Sequence, residues 1–127
     1  MTKEIKNTNL APAPVGPYNQ AVLANGTLYI SGQIALDPSN EELIMDSIES
    51  ETHQVMKNLK AILTNAGMNY EDIVKCSVFV KDMGMYGRIN AVYAEYFPED
   101  TAPARELVEV ANLPKYVNVE ISAIAVK

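Results

Sequence analysis

The closing run Val117-Asn118-Val119-Glu120-Ile121-Ser122-Ala123-Ile124-Ala125-Val126 constrains the fold more than any other stretch. Side chains alternate with period two along a strand, so Val117, Val119, Ile121, Ala123 and Ala125 share one face. The opposite face begins polar, with Asn118, Glu120 and Ser122, and ends apolar, with Ile124 and Val126. A strand with apolar residues on both sides needs cover on both sides. The rest of the chain predicts strands around two helices, in the order β-ββ-α-β-α-ββ. One mixed sheet with two helices packed on one face is the natural α+β solution. The helices cover one side only, so the second apolar face predicts a partner subunit.

The other elements follow from spacing. Ile5 and Lys6 suit a short edge strand. Ala11-Pro12-Ala13-Pro14-Val15-Gly16-Pro17-Tyr18 excludes a helix and predicts a pinned, extended loop. Strands are expected over 19–23 and 27–34, joined at Asn25-Gly26, a pair that tolerates positive φ and favours a hairpin. A turn is expected over 37–40. The first helix is expected over 47–66. Ile48, Thr52, Val55, Leu59, Ile62, Leu63 and Ala66 recur at steps of three and four on one face. Asp46 with Glu49 resembles a capping box, and Gly67 suits the position just past the end. This helix is about 30 Å long, enough to cross a sheet. Residues 73–81 alternate, with Val74, Cys76, Val78 and Val80 as the expected core face. A second helix is expected from Asp82, with Met85, Ile89, Val92, Tyr93 and Tyr96 on one stripe and Pro98 as its stop. Strands over 105–110 and 117–126, joined through Asn112 and Pro114, close the chain.

Composition narrows the function. A chain of 127 residues suits one domain, spanning 1–127. The net charge is −6 and no basic block occurs, which argues against a nucleic-acid partner. No apolar run approaches the ~20 residues that span a bilayer. The first six residues carry no apolar leader core, which predicts a cytoplasmic protein. One cysteine and one histidine argue against a metal site. Neither a GxGxxG nor a Walker pattern is present, so no nucleotide cofactor is expected.

Arg105 is the leading candidate for chemistry. It stands where the loop Thr101-Ala102-Pro103-Ala104 meets a strand, and a guanidinium grips a carboxylate with two parallel hydrogen bonds. A surface charge, or a partner for Glu106 or Glu109, is the alternative. Arg105, Leu107 and Glu109 share a face. Glu120 is a candidate base if its face is partly covered, since burial raises a carboxyl pKa; a solvated outer face is the alternative. Tyr18 follows the rigid Val15-Gly16-Pro17 approach and either donates to a ligand or packs. Ser31-Gly32 brings backbone close to a ligand or forms a bulge. Cys76 reads as an inert core residue and His53 as a boundary residue.

Several of these motifs stand together in register. Ala13-Pro14-Val15-Gly16-Pro17-Tyr18-Asn19-Gln20-Ala21-Val22, Ile30-Ser31-Gly32-Gln33-Ile34, Pro103-Ala104-Arg105 and Val119-Glu120-Ile121-Ser122-Ala123-Ile124-Ala125 resemble the RidA/YjgF family of reactive-intermediate deaminases over nearly the whole chain. Asn58-Leu59-Lys60-Ala61-Ile62-Leu63 and Asn90-Ala91-Val92-Tyr93 fit as well. The resemblance implies a chorismate-mutase-like fold, a homotrimer with a site at each subunit interface, and no cofactor. It implies hydrolysis of enamines and imines such as 2-aminoacrylate to 2-keto acids and ammonia. Carried over by position, Arg105 clamps the substrate carboxylate and Glu120 orients or activates water. Tyr18, Ser31 and the Gly32 backbone line the pocket. Leu107 stands where many members carry a cysteine, and Asn19 where a serine is common. A non-catalytic member that binds small carboxylates and senses metabolites is the alternative.

Overall fold

The computed structural model describes residues 2–127. Strands β1 (Glu4–Lys6), β2 (Ala21–Ala24) and β3 (Thr27–Gln33) are followed by the short pair β4 (Leu36–Asp37) and β5 (Glu42–Leu43). Then come α1 (Ile48–Asn65), β6 (Ile73–Val80), α2 (Tyr86–Tyr93), β7 (Ala104–Glu109) and β8 (Val119–Val126). Six strands form one sheet in the order β1-β2-β3-β8-β6-β7. Only β6 and β7 run parallel, because α2 carries the chain back between them. This is the expected α+β sheet with both helices on one face, and β8 lies in its interior as its two-sided apolar pattern requires.

Local chemistry explains the element ends. Asn25 and Gly26 have φ of 51° and 78°, the pair of left-handed residues that a tight β2–β3 hairpin needs. Helix α1 starts at Ser47, whose hydroxyl accepts from the Ser50 N–H at 3.0 Å. Ser47 is therefore the cap, and the Asp46–Glu49 box expected from sequence does not form; Glu49 turns outward to Arg88 instead. The helix ends as expected at Gly67, with Gly67 N–H bonded to Thr64 and Met68 N–H to Leu63.

The expected turn over 37–40 is present, as the connection of a separate two-stranded hairpin, β4–β5. Three further expectations need correction. A register shift between Ile73 and Lys75 buries Ile73 and turns Val74 outward, so Val74 leaves the core face that Cys76, Val78 and Val80 keep. The second helix starts at Tyr86, because residues 83–85 form a 3₁₀ turn capped by the Asp82 carboxylate; it ends at Tyr93, before Pro98. Strand β8 begins at Val119 after a further 3₁₀ turn over 114–116, with Val117 already buried.

The core lies between the helices and the sheet. Val55, Leu59, Ile62 and Leu63 of α1 meet Leu28, Cys76, Val78, Ile121 and Ala125 of the strands, all fully buried. Each large side chain contributes about 1.5–3 kcal/mol by leaving water. The opposite sheet face carries Ile5, Tyr29, Phe79, Val108, Ile124 and Val126, placed there by the strand registers. Tyr29, Val108 and Val126 are 51, 42 and 45% exposed, so one chain leaves this apolar face uncovered.

Candidate functional site

The sheet register divides the expected site residues between its two faces. Cys76 pairs with Arg105 and Phe79 with Glu120. Cys76 and Phe79 are three residues apart on β6, and an odd separation on a strand points to opposite sides. Arg105 and Leu107 therefore lie on the helix face and Glu120 on the other. Within one chain they do not share a cavity.

Arg105 is held from α2. Its Nη1 donates to Asn90 Oδ1 at 2.8 Å and its Nη2 to the Tyr86 hydroxyl at 3.4 Å. The guanidinium carbon stands 4.8 Å from the centre of the Tyr93 ring, a stacking cation–π contact. Tyr86, Asn90 and Tyr93 sit at helical spacing on one side of α2; of these only Tyr93 belonged to the stripe read from the sequence, where it counted as packing, and the roles of Tyr86 and Asn90 were missed. The bonds to Asn90 and Tyr86 occupy two of the five guanidinium donors. Arg105 opens on a cavity of about 320 Å³ shared with Asn90, Tyr93, Phe97 and Pro103. Leu107 packs against the core beside it. Cys76 is buried behind Arg105 and burial pushes its thiol pKa up, so it is no nucleophile. The Tyr93 hydroxyl is buried beside that thiol.

Glu120 has a different setting. It faces a cavity of about 130 Å³ lined by Pro12, Tyr18, Gly32, Gln33, Pro114 and Lys115, among others. Its carboxyl approaches the Gly32 backbone so closely that a Cβ there would lie 2.8 Å from Glu120 Cδ. Gly32 is thus glycine for contact and not for φ, and it sits where the β3–β8 register shifts. Tyr18 is half exposed at the cavity rim, and its hydroxyl is 3.5 Å from the Val15 N–H. Ser31 lies next door, its hydroxyl donating to the Asn19 carbonyl at 2.6 Å. The structure thus brings Tyr18, Gly32 and Glu120 together, with Ser31 adjacent.

Gln20 was missed by sequence reasoning. Its side chain is buried; Nε2 donates to the carbonyls of Thr8, Ala11 and Pro12, and Oε1 accepts from Thr8 N–H. It thereby moulds the proline loop that walls the Glu120 cavity. A lone glutamine after Asn19 carries no periodic signal, so only the fold discloses this role.

Burial pushes the Glu120 carboxyl above the usual carboxylate range. A raised folded-state pKa means that the fold favours the protonated acid, so the stabilisation is full below the unfolded value, about 4.3, and is lost as pH rises through the folded value. Glu120→Gln, always neutral, should therefore melt above the parent protein at neutral pH and converge with it in acid. Melting curves taken from about pH 3 to about pH 8 check this; a variant less stable than the parent at neutral pH would contradict it.

No helix among the described residues is long and apolar enough to cross a membrane. The family model for endoribonuclease L-PSP matches residues 8–127. A RutC family protein of Synechocystis is 53% identical over 127 residues, covering 99% of this chain and 98% of the relative. The 2-iminobutanoate/2-iminopropanoate deaminase of Mus musculus is 43% identical, covering 98% of this chain and 92% of that protein. The crystal structure of TdcF from E. coli with bound serine superposes with a TM-score of 0.91 at 39% identity, covering 98% of each chain. Matches of this extent leave one conclusion: the chain belongs to the endoribonuclease L-PSP family, the RidA/YjgF group.

Proposed function

We propose that the protein hydrolyses small enamines and imines to 2-keto acids and ammonia, in sites that form where Arg105 of one protomer meets Glu120 of the next in a homotrimer. The observation that carries this reading is that each half-site is incomplete alone. Arg105 is a braced cation opening on a cavity, and among the described residues it has no carboxylate within ion-pairing distance. Glu120 is a half-buried carboxyl whose raised pKa has burial as its cause. The uncovered apolar face around Tyr29, Val108 and Ile124 supports burial against further copies. The names of the mouse relative and of TdcF with bound serine support a small amino-acid-derived carboxylate as ligand.

The chemistry asks little of the protein. Arg105 holds the substrate carboxylate by two charge-assisted hydrogen bonds. A water adds its oxygen to the iminium carbon while Glu120 takes its proton. Glu120 returns that proton to nitrogen, the C–N bond breaks and ammonia leaves, and the remaining hydroxyl gives its proton back to the Glu120 carboxylate as it becomes the keto group. An enamine first takes a proton from solvent on its terminal carbon to become the iminium. Positioning and proton transfer suffice, so a leucine at 107 in place of a thiol leaves the route open.

The test couples the purified protein to a pyridoxal-phosphate serine dehydratase and follows keto acid and ammonia, with sedimentation on the same sample. Faster release than the dehydratase alone gives, from a trimer, is the expected result. Tight binding of small carboxylates without acceleration would replace the enzyme reading with that of a metabolite sensor. The family model's description names an endoribonuclease, but a net charge of −6 and scattered single Lys and Arg argue against an RNA partner.

A further inference from the structure

Helix α1 buries three polar side chains, Thr52, which bonds back to its own helix, and two that reach out of it. Glu51 and Asn58 are 0 and 1% exposed and lie seven residues apart, two turns along one face. A buried carboxylate is costly unless its oxygens are fully bonded. Glu51 Oε2 accepts from the Asn118 N–H at 2.7 Å and from the Val119 N–H at 3.3 Å; its Oε1 accepts from Asn118 Nδ2 at 2.8 Å. Those donors immediately precede Glu120. Asn58 Nδ2 donates to the carbonyls of Ile34 and Leu36, each at 2.9 Å, and its Oδ1 accepts from Gln54 at 3.0 Å. Ile34 and Leu36 are wall residues of the Glu120 cavity. One rigid helix thus grips the backbone on two sides of that cavity, from behind the sheet.

An apolar stripe with leucine or methionine at these positions would suffice to hold α1 on the sheet, and similar buried polar groups are often no more stabilising than apolar ones. What the polar pair adds is directional. A hydrogen bond sets where the start of β8 and the end of β3 lie, whereas apolar packing tolerates sliding. The cavity is narrow, and Glu120 already touches the Gly32 backbone, so a shift of a few tenths of an ångström at Asn118 is blocked inward and carries the carboxyl out towards water.

We propose that Glu51 and Asn58 are positioning residues that fix the seat of the Glu120 carboxyl. The inference rests on the functional reading above for its catalytic meaning, but its test does not. Glu51→Gln keeps the side chain's shape and puts an N–H₂ group where one oxygen accepts, facing the Asn118 or Val119 N–H. The measurement is a ¹³C NMR titration of the Glu120 side-chain carboxyl in the full-length protein. The expected result is a midpoint moved down by about half a unit or more, towards the ordinary value near 4.3, as the carboxyl loses its shielded seat. Leu63→Ala, a core truncation on the same helix, serves as the control for simple loosening and should leave the midpoint in place. Should Glu51→Gln fail to fold, Asn58→Leu takes the same measurement, because it removes the two donors to Ile34 and Leu36 without burying a new polar atom. An unmoved midpoint in the folded variant, or an equal shift in Leu63→Ala, overturns the proposal. A parent protein that hydrolyses no imine would overturn the enzyme reading and leave this titration result standing.

Discussion

Arg105→Ala is expected to lower kcat/KM for imine hydrolysis by about 100-fold or more and to leave the trimer intact. Two hydrogen bonds to a charged carboxylate are each worth about 1.5–3 kcal/mol, and every 1.4 kcal/mol is a factor of ten. Arg105 is braced within its own chain, by Asn90 and the rings of Tyr86 and Tyr93, and in the proposed site it faces the substrate. Its loss therefore empties a clamp and leaves the apolar face around Tyr29, Val108 and Val126 to hold the proposed trimer. Arg105→Lys should recover only part of the rate, since an ammonium keeps the charge but loses the planar fork. The comparison needs the coupled ammonia assay and sedimentation on all three proteins. Full activity in Arg105→Ala would remove the clamp from the mechanism.

Gly32→Ala is expected to fold normally, melt within a degree or two of the parent, and lose about 100-fold in kcat. The new methyl would stand 2.8 Å from Glu120 Cδ and 3.0 Å from its Cγ. No carbon sits that close to another without one of them moving, and the side chain that yields is the proposed base. The backbone at residue 32 needs no left-handed φ, so the substitution brings no conformational strain, and the effect should be confined to the carboxyl. A misplacement of about 1 Å at a reacting group costs on the order of 100-fold, which sets the magnitude. An unchanged kcat in a well-folded Gly32→Ala would show that Glu120 is not the proton acceptor.

Much of this molecule can be read from one dimension. The β2–β3 hairpin follows from Asn25-Gly26, because few other pairs accept two left-handed residues in succession. Helix α1 follows from its stripe and from Gly67. The candidacy of Arg105, Glu120, Tyr18 and Gly32 rests on their places at strand ends and on the pinned loop. What escaped the sequence had a common character. The choice of Ser47 over Asp46 as cap turns on a single residue's backbone angle, and both are good caps. The outward turn of Val74 depends on a register shift against β8, a strand some fifty residues away in the chain. Gln20, Glu51 and Asn58 bear polar side chains in ordinary surroundings by sequence, and their burial is a property of what folds over them.

The same division holds for the site. Local spacing determined that an arginine would stand at one strand mouth and a glutamate within the last strand, since period two and proline act over a few residues. Which side of the sheet each faces was decided by β6, which pairs Cys76 with Arg105 and Phe79 with Glu120. Shifting either pairing by one residue would turn that strand over; the alternation within β8 sets Glu120 opposite its core face, whereas β7 carries Leu107 on one side and Val108 on the other and leaves its orientation open. Register is set by long-range burial of the Cys76, Val78 and Val80 face against the helices, so only the folded sheet separates the guanidinium from the carboxylate within one chain.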